Sequence, residues 1–130
     1  MNRDTQRQTN RWRHVTTLAA IVVASLVLVG CNPDHTVHVV KDPATGKLII
    51  DEIRPKVGET VKIINDLGVE VNLAWDHGTF EGNSDFDIAA GGKKTVKVAA
   101  QTSYPKTAHV IIEADGGDHG GSEMIIDPGP

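Results

Sequence analysis

The stretch VKIINDLGVEVNLAWD, Val61 to Asp76, holds two apolar runs separated by Asn65-Asp66-Leu67-Gly68. In the second run Val69, Val71, Leu73 and Trp75 alternate with Glu70, Asn72, Ala74 and Asp76. In an extended chain successive side chains point to opposite faces. The run therefore predicts a strand, Val69 to Asp76, with its bulky apolar residues on one buried face. Trp75 is the only tryptophan outside the N-terminal segment, and it falls on that inner face.

The same punctuation repeats outward from this stretch. Thr36 to Val40 alternates through Val37 and Val39, and Leu48 to Ile53 returns after the turn residues Pro43 to Gly46. Thr60 to Ile64 follows Pro55 and Gly58, and Asp85 to Ile88 lies beyond a polar loop that starts at Thr79. Gly91-Gly92 turns into Thr95 to Ala99, and Ala108 to Glu113 is the most apolar run. Asp115 to Gly121 reads as a glycine-rich loop and Glu123 to Asp127 as the last strand. Short strands at this spacing, with no helical period outside the N-terminal segment, predict an all-β sandwich of seven or eight strands.

The organising stretch resembles the cupredoxins, the sandwich family that includes plastocyanin. There, V-G-x-x-V-x-x-x-N leads into a strand of the type H-N-V-V-F-D. Here Val57-Gly58-Glu59-Thr60-Val61 leads to Asn65, and Val71-Asn72-Leu73-Ala74-Trp75-Asp76 follows. The likeness runs from about Val37 to Ile126 and implies a cupredoxin-like Greek-key β-sandwich over residues 36–130. It also implies a type 1 copper centre built from two histidines, a cysteine thiolate and a weak axial methionine. The chain departs from the family at every one of those ligands. Val71 stands in the place of the first histidine. The cysteine falls on Glu113 or Ala114, the second histidine on Gly116 or Gly117, and the methionine on Gly121 or Ser122. The expectation is a domain with no blue-copper centre and no cofactor, with copper held by a rearranged site as the alternative.

That alternative draws on the histidines. His119 and Asp118 lie in the glycine-rich loop, and His77 follows the organising strand, with Asp115 and Asp76 as further oxygen donors. Imidazole with carboxylate suits Cu(II) or Zn(II). The plainer reading of the same residues is solvated loop side chains beside turn glycines. Six residues separate Val71 from His77, about 20 Å at about 3.3 Å per residue, which puts His77 toward the far pole from the loop. His35 and His38 point to opposite faces of one strand, and His109, out of phase with Val110 and Ile112, reads as a structural or surface histidine.

The N-terminal segment reads differently. Arg3, Arg7, Arg11 and Arg13 form a basic head before an apolar run, Val15 to Gly30, that is softened by Thr16, Thr17 and Ser25. A membrane span needs about 20 apolar residues, so the run reads as a secretory signal. Leu28-Val29-Gly30-Cys31 resembles a bacterial lipobox. The resemblance implies a lipoprotein signal peptide, residues 1–30, cleaved before a lipidated Cys31, and a short tether, residues 31–35. Two or more acyl chains, at about 0.8 kcal/mol per buried methylene, anchor stably where one does not. The expected place is the bacterial cell envelope, on the periplasmic or other extracytoplasmic face of a membrane. Cys31 is the only cysteine, so no disulfide staples the domain.

Charge and motif narrow the function. The chain has 13 Lys and Arg against 17 Asp and Glu; removing Arg3, Arg7, Arg11, Arg13 and Asp4 leaves 9 against 16, a net −7. Such a surface repels nucleic acid. Ser84 and Ser103 sit in no nucleophile motif, and Gly116 to Gly121 lacks the lysine of a phosphate-binding loop. No catalytic residue is assigned and no enzyme is expected. The reading is a lipid-anchored binding or structural module whose partners are the membrane and an envelope protein.

Overall fold

The computed structural model describes residues 32–100 and 105–129, so the segment read as a signal peptide, Cys31 and Ser103 lie outside the described residues. Eight strands form: β1 His35–Lys41, β2 Leu48–Ile50, β3 Thr60–Asn65, β4 Val71–Trp75, β5 Asp85–Ile88, β6 Lys93–Lys97, β7 Lys106–Ala114 and β8 His119–Ile126. No helix forms among the described residues. The strands run in the order β5-β4-β7-β8-β2-β1-β3-β6. β1 with β3 and β2 with β8 are parallel pairs, and the remaining pairs are antiparallel. β2 and β8 meet at the single pair Leu48↔Gly120. That seam divides the sheet into two layers, β5-β4-β7-β8 and β2-β1-β3-β6, which fold onto each other as a sandwich.

Period-two alternation explains why the layers close. Val37, Val39, Val61 and Ile63 from one layer meet Val71, Leu73, Val110 and Ile112 from the other, and all are buried. Trp75, at the end of β4, packs edge-on against Phe80 with ring centroids 5.2 Å apart, and Phe86 lies 6.4 Å beyond Phe80. Phe80 belongs to the segment read as a polar loop, yet it is 2 % exposed. It is drawn in because this segment bridges to the end of β6 through Phe80↔Val98, with Glu81 N–H donating to the Lys97 carbonyl at 2.8 Å.

Several strand boundaries differ from the sequence expectation, and three of them have a local reason. β4 begins at Val71, and Val69 is 40 % exposed, because the chain wraps the Asn65 side chain before the strand starts. Asn65 Nδ2 donates to the carbonyls of Val69, Ile88 and Ala89 at 2.8, 3.1 and 3.1 Å, while its Oδ1 accepts the Leu67 N–H at 2.9 Å. β2 stops at Ile50 rather than Ile53, with the backbone then leaving β8 on its approach to Pro55, a residue that has no N–H to give a ladder. β8 begins at His119 rather than Glu123, because Gly120 and Gly121 are strand glycines. They allow neighbouring backbone to come close, which is one of the uses of glycine inside a strand.

Asn65 is fully buried and holds the β3–β4 connection against the end of β5. Asn65→Ala should cost about 3 kcal/mol, because it strips the Ile88 carbonyl of a buried bond and the Val69 and Ala89 carbonyls and Leu67 N–H of part-buried ones. Urea unfolding followed by circular dichroism measures this. A loss below about 1 kcal/mol would show that the loop re-forms its bonds without the amide.

Candidate functional site

Val71 opens β4 and is fully buried, paired with Ile88 on one side and Ala114 on the other. The glycine-rich stretch beside it is shorter than the sequence reading had it. β7 and β8 stay paired as far as Glu113↔His119, which leaves only Asp115 to Asp118 beyond Ala114 as a turn. Ala114 N–H donates to the Asp118 carbonyl at 2.8 Å and Gly117 N–H to the Ala114 carbonyl at 3.2 Å. Gly116 and Gly117 take φ of 96° and 99°, a left-handed geometry that glycine adopts without strain and that closes a hairpin this tight. The positions aligned with the family's ligands supply the Val71 side chain, an exposed Glu113, the Ala114 methyl, glycines and Ser122. The Ser122 hydroxyl is already an acceptor for the Ile50 N–H at 2.9 Å.

The structure places the candidate metal residues at different ends. His119 is exposed at the first position of β8, with Nδ1 3.3 Å from the Gly117 carbonyl. Asp118 lies in the adjacent turn, paired with Lys41 at 3.2 Å. His77 is exposed in the turn that follows β4. His119 shares its cross-strand row with Glu113 and Asn72, so His77 lies five residues further along β4, about 16 Å at about 3.3 Å per residue. His119 and Asp118 are neighbours in the chain, and the fold sets His77 apart from them. Among the described residues no group of three or more His, Cys, Asp or Glu side chains could hold a metal ion.

Carboxylates engage the remaining described histidines. His35 Nε2 lies 3.1 Å from Glu59, and His38 Nδ1 lies 2.7 Å from Asp66, so these two are held apart as their alternation requires. His109 sits between two acids, with Nδ1 3.1 Å from Asp76 and Nε2 3.2 Å from Glu123. The His109 backbone N–H also donates to Asp76 at 2.9 Å, and that bond is the main cause holding the Asp76 carboxyl below its usual range. Glu59 is lowered chiefly by the Lys56 backbone N–H, and Asp127 chiefly by the paired Arg54 guanidinium. On the same outer face Asn72 Nδ2 donates to Asp85 and Asp87 at 2.9 and 2.8 Å.

The Asp76–His109–Glu123 contact was not foreseen. Alternation gave the outward phase of His109, but the register that sets Glu123 opposite it depends on where the hairpin turns. Ser84, free of any nucleophile motif, is buried with its hydroxyl accepting the Phe80 N–H at 3.1 Å, which is a structural role.

No family model and no curated protein matches this sequence. Solved structures do. A Cu(I) form of an amicyanin mutant shares 14 % identity over 75 % of this chain and 85 % of its own, with a TM-score of 0.50. A reduced Cu(I) form at pH 4 of a second amicyanin mutant gives 14 %, 75 % and 85 %, with a TM-score of 0.49. A laccase from Pediococcus acidilactici Pa5930 matches at 14 % identity over 75 % of this chain and 28 % of its own, with a TM-score of 0.47. At 14 % identity the likeness to the first of these concerns the fold alone, and with the eight strands and their order the chain is an all-β, cupredoxin-like Greek-key sandwich.

Proposed function

We propose that this chain is a lipid-anchored module of the bacterial cell envelope that acts by binding or structural support, without blue-copper electron transfer. The observation that carries the reading is the short β7–β8 hairpin beside a buried Val71. A type 1 centre needs a loop that lays thiolate, imidazole and thioether over the metal. Here the strands stay paired almost to the turn, and the aligned positions offer aliphatic side chains, glycines, the exposed Glu113 carboxylate and an already hydrogen-bonded Ser122. The residues do not fit that centre, so no electron-transfer step is assigned to them. Carboxylate–imidazole contacts spread over an exposed face suit recognition of another molecule better than catalysis. The copper-handling alternative is weakened by the distance between His119 and His77; any Cu(II) taken up near His119 and Asp118 would bind through imidazole and carboxylate, and His119→Ala would weaken it.

The anchoring half of the proposal rests on the lipobox-like Leu28-Val29-Gly30-Cys31. The protein is expected in the membrane fraction, with Cys31→Ser released from it or retained unprocessed. Mass spectrometry of the mature protein checks this directly; an N-terminus other than Cys31, or an unmodified Cys31, would contradict it.

A further inference from the structure

On its side facing β2, the backbone of strand β8 is paired at two points, Leu48↔Gly120 and Lys56↔Asp127, and the Ser122 hydroxyl accepts the Ile50 N–H at 2.9 Å between them. At the second, Asp127 N–H donates to the Pro55 carbonyl at 2.9 Å and Val57 N–H to the Asp127 carbonyl at 3.1 Å. Alternate residues of a strand turn their backbone groups to the same side, so those of Glu123 and Ile125 face the interval between the ties. Among the described strands none pairs with them there, because residues 51–54 bow away.

The interval opens outward into two recesses of about 320 and 340 Å³ that share Glu52 and Glu123 in their walls, one of them also lined by Ile53 and Ile125. Inward it narrows to a cavity of about 10 Å³ lined by Ile50, Ile53, Met124 and Trp75, about the space of one water. Trp75 is 7 % exposed, and its Nε1 is the one buried side-chain nitrogen or oxygen without a hydrogen-bond partner among the described residues. Near the rim, Arg54 holds Asp127 at 2.7 Å, and the His109 ring lies between Asp76 and Glu123. Glu52, in no ion pair, and Ile125, 37 % exposed, remain open to a visitor.

We propose that this groove binds an extended segment of a partner protein that alternates apolar residues with lysine or arginine. The proposal rests on the binding-module reading and names its site. The partner's cations meet Glu52 and Glu123, its apolar side chains cover Ile53 and Ile125, and its backbone meets the unpaired groups of β8. A water or carbonyl in the small cavity accepts the Trp75 N–H. A second copy presenting the same acidic rim would set carboxylate against carboxylate, which disfavours self-association.

The test is a titration of the ¹⁵N-labelled protein with an alternating lysine–valine hexapeptide and, separately, with its glutamate–valine counterpart. The lysine peptide should give saturable shifts at the Trp75 indole N–H and at the Glu123 and Ile125 amides. Glu52→Gln combined with Glu123→Gln should weaken binding about tenfold or more, as should high salt, with resonances elsewhere unchanged. The glutamate peptide should give no shifts. No saturable binding, shifts centred on Asp85 and Asp87 instead, or binding indifferent to the double substitution would each overturn the proposal. Concentration-dependent shifts at the same residues without peptide would overturn it in favour of a second copy. Failure here leaves the absence of blue copper untouched, whereas a blue Cu(II) complex would defeat the module reading whatever the peptide does.

Discussion

Trp75→Ala is expected to lower the stability of the domain by about 3–5 kcal/mol, the range for removing a large aromatic side chain from a core. The ring is 7 % exposed and lies edge-on to Phe80, which in turn approaches Phe86. Removing it takes away one member of the only aromatic chain among the described core residues, and alanine leaves a cavity that rigid strands on both layers cannot fill. Trp75→Phe provides the contrast. It keeps an aromatic face for Phe80 and removes an indole N–H that has no protein partner, so it should cost far less, about 1.5 kcal/mol or under. Urea unfolding followed by circular dichroism separates the two variants. Equal losses would mean that the indole nitrogen matters more than the ring's bulk.

Gly120→Val should be comparably severe, at about 3 kcal/mol or more, for a different reason. A Cβ at position 120 would lie 2.0 Å from the Leu48 carbonyl oxygen and 2.6 Å from the Leu48 nitrogen. Those are backbone atoms, and no rotamer change relieves the clash. Leu48↔Gly120 is also the single residue pair between β2 and β8. Amide exchange should therefore accelerate in β2 and in the segment leading to Pro55 before it does in β4 or β7. Gly68→Ala is the control: nothing lies within 4 Å of its Cβ position, and it should stay within about 0.5 kcal/mol of the parent. A Gly120→Val protein of parental stability would show that the seam is dispensable.

Strand identity was legible in the sequence because burial and alternation coincide. Val71, Leu73 and Trp75 alternate with half-buried residues, and β3 does the same through Val61 and Ile63. The glycines were ambiguous. Gly116 and Gly117 serve a turn, whereas Gly120 and Gly121 serve a strand pressed against a neighbour, and composition alone does not separate these uses. Asn65 carried a signal in its spacing from Val57-Gly58, but its function as a plug for three carbonyls appears only once β5 is in place. Phe80 looked like a loop residue because its burial depends on a bridge to β6, eighteen residues away in sequence. Among the candidate metal residues, His119 and Asp118 are adjacent in the chain, and strand length alone put His77 toward the opposite pole. The groove between β8 and residues 51–54 left no sequence signature, since it arises from pairing that is missing.

We propose that this cupredoxin-like sandwich does not hold type 1 copper. Titration of the purified protein with Cu(II), followed by visible absorption and calorimetry, tests it most directly. A protein that stays colourless or faintly coloured, with no reversible blue-copper couple and at most an imidazole–carboxylate complex sensitive to His119→Ala, is the expected result. An intense blue absorption from thiolate-to-Cu(II) charge transfer would contradict it.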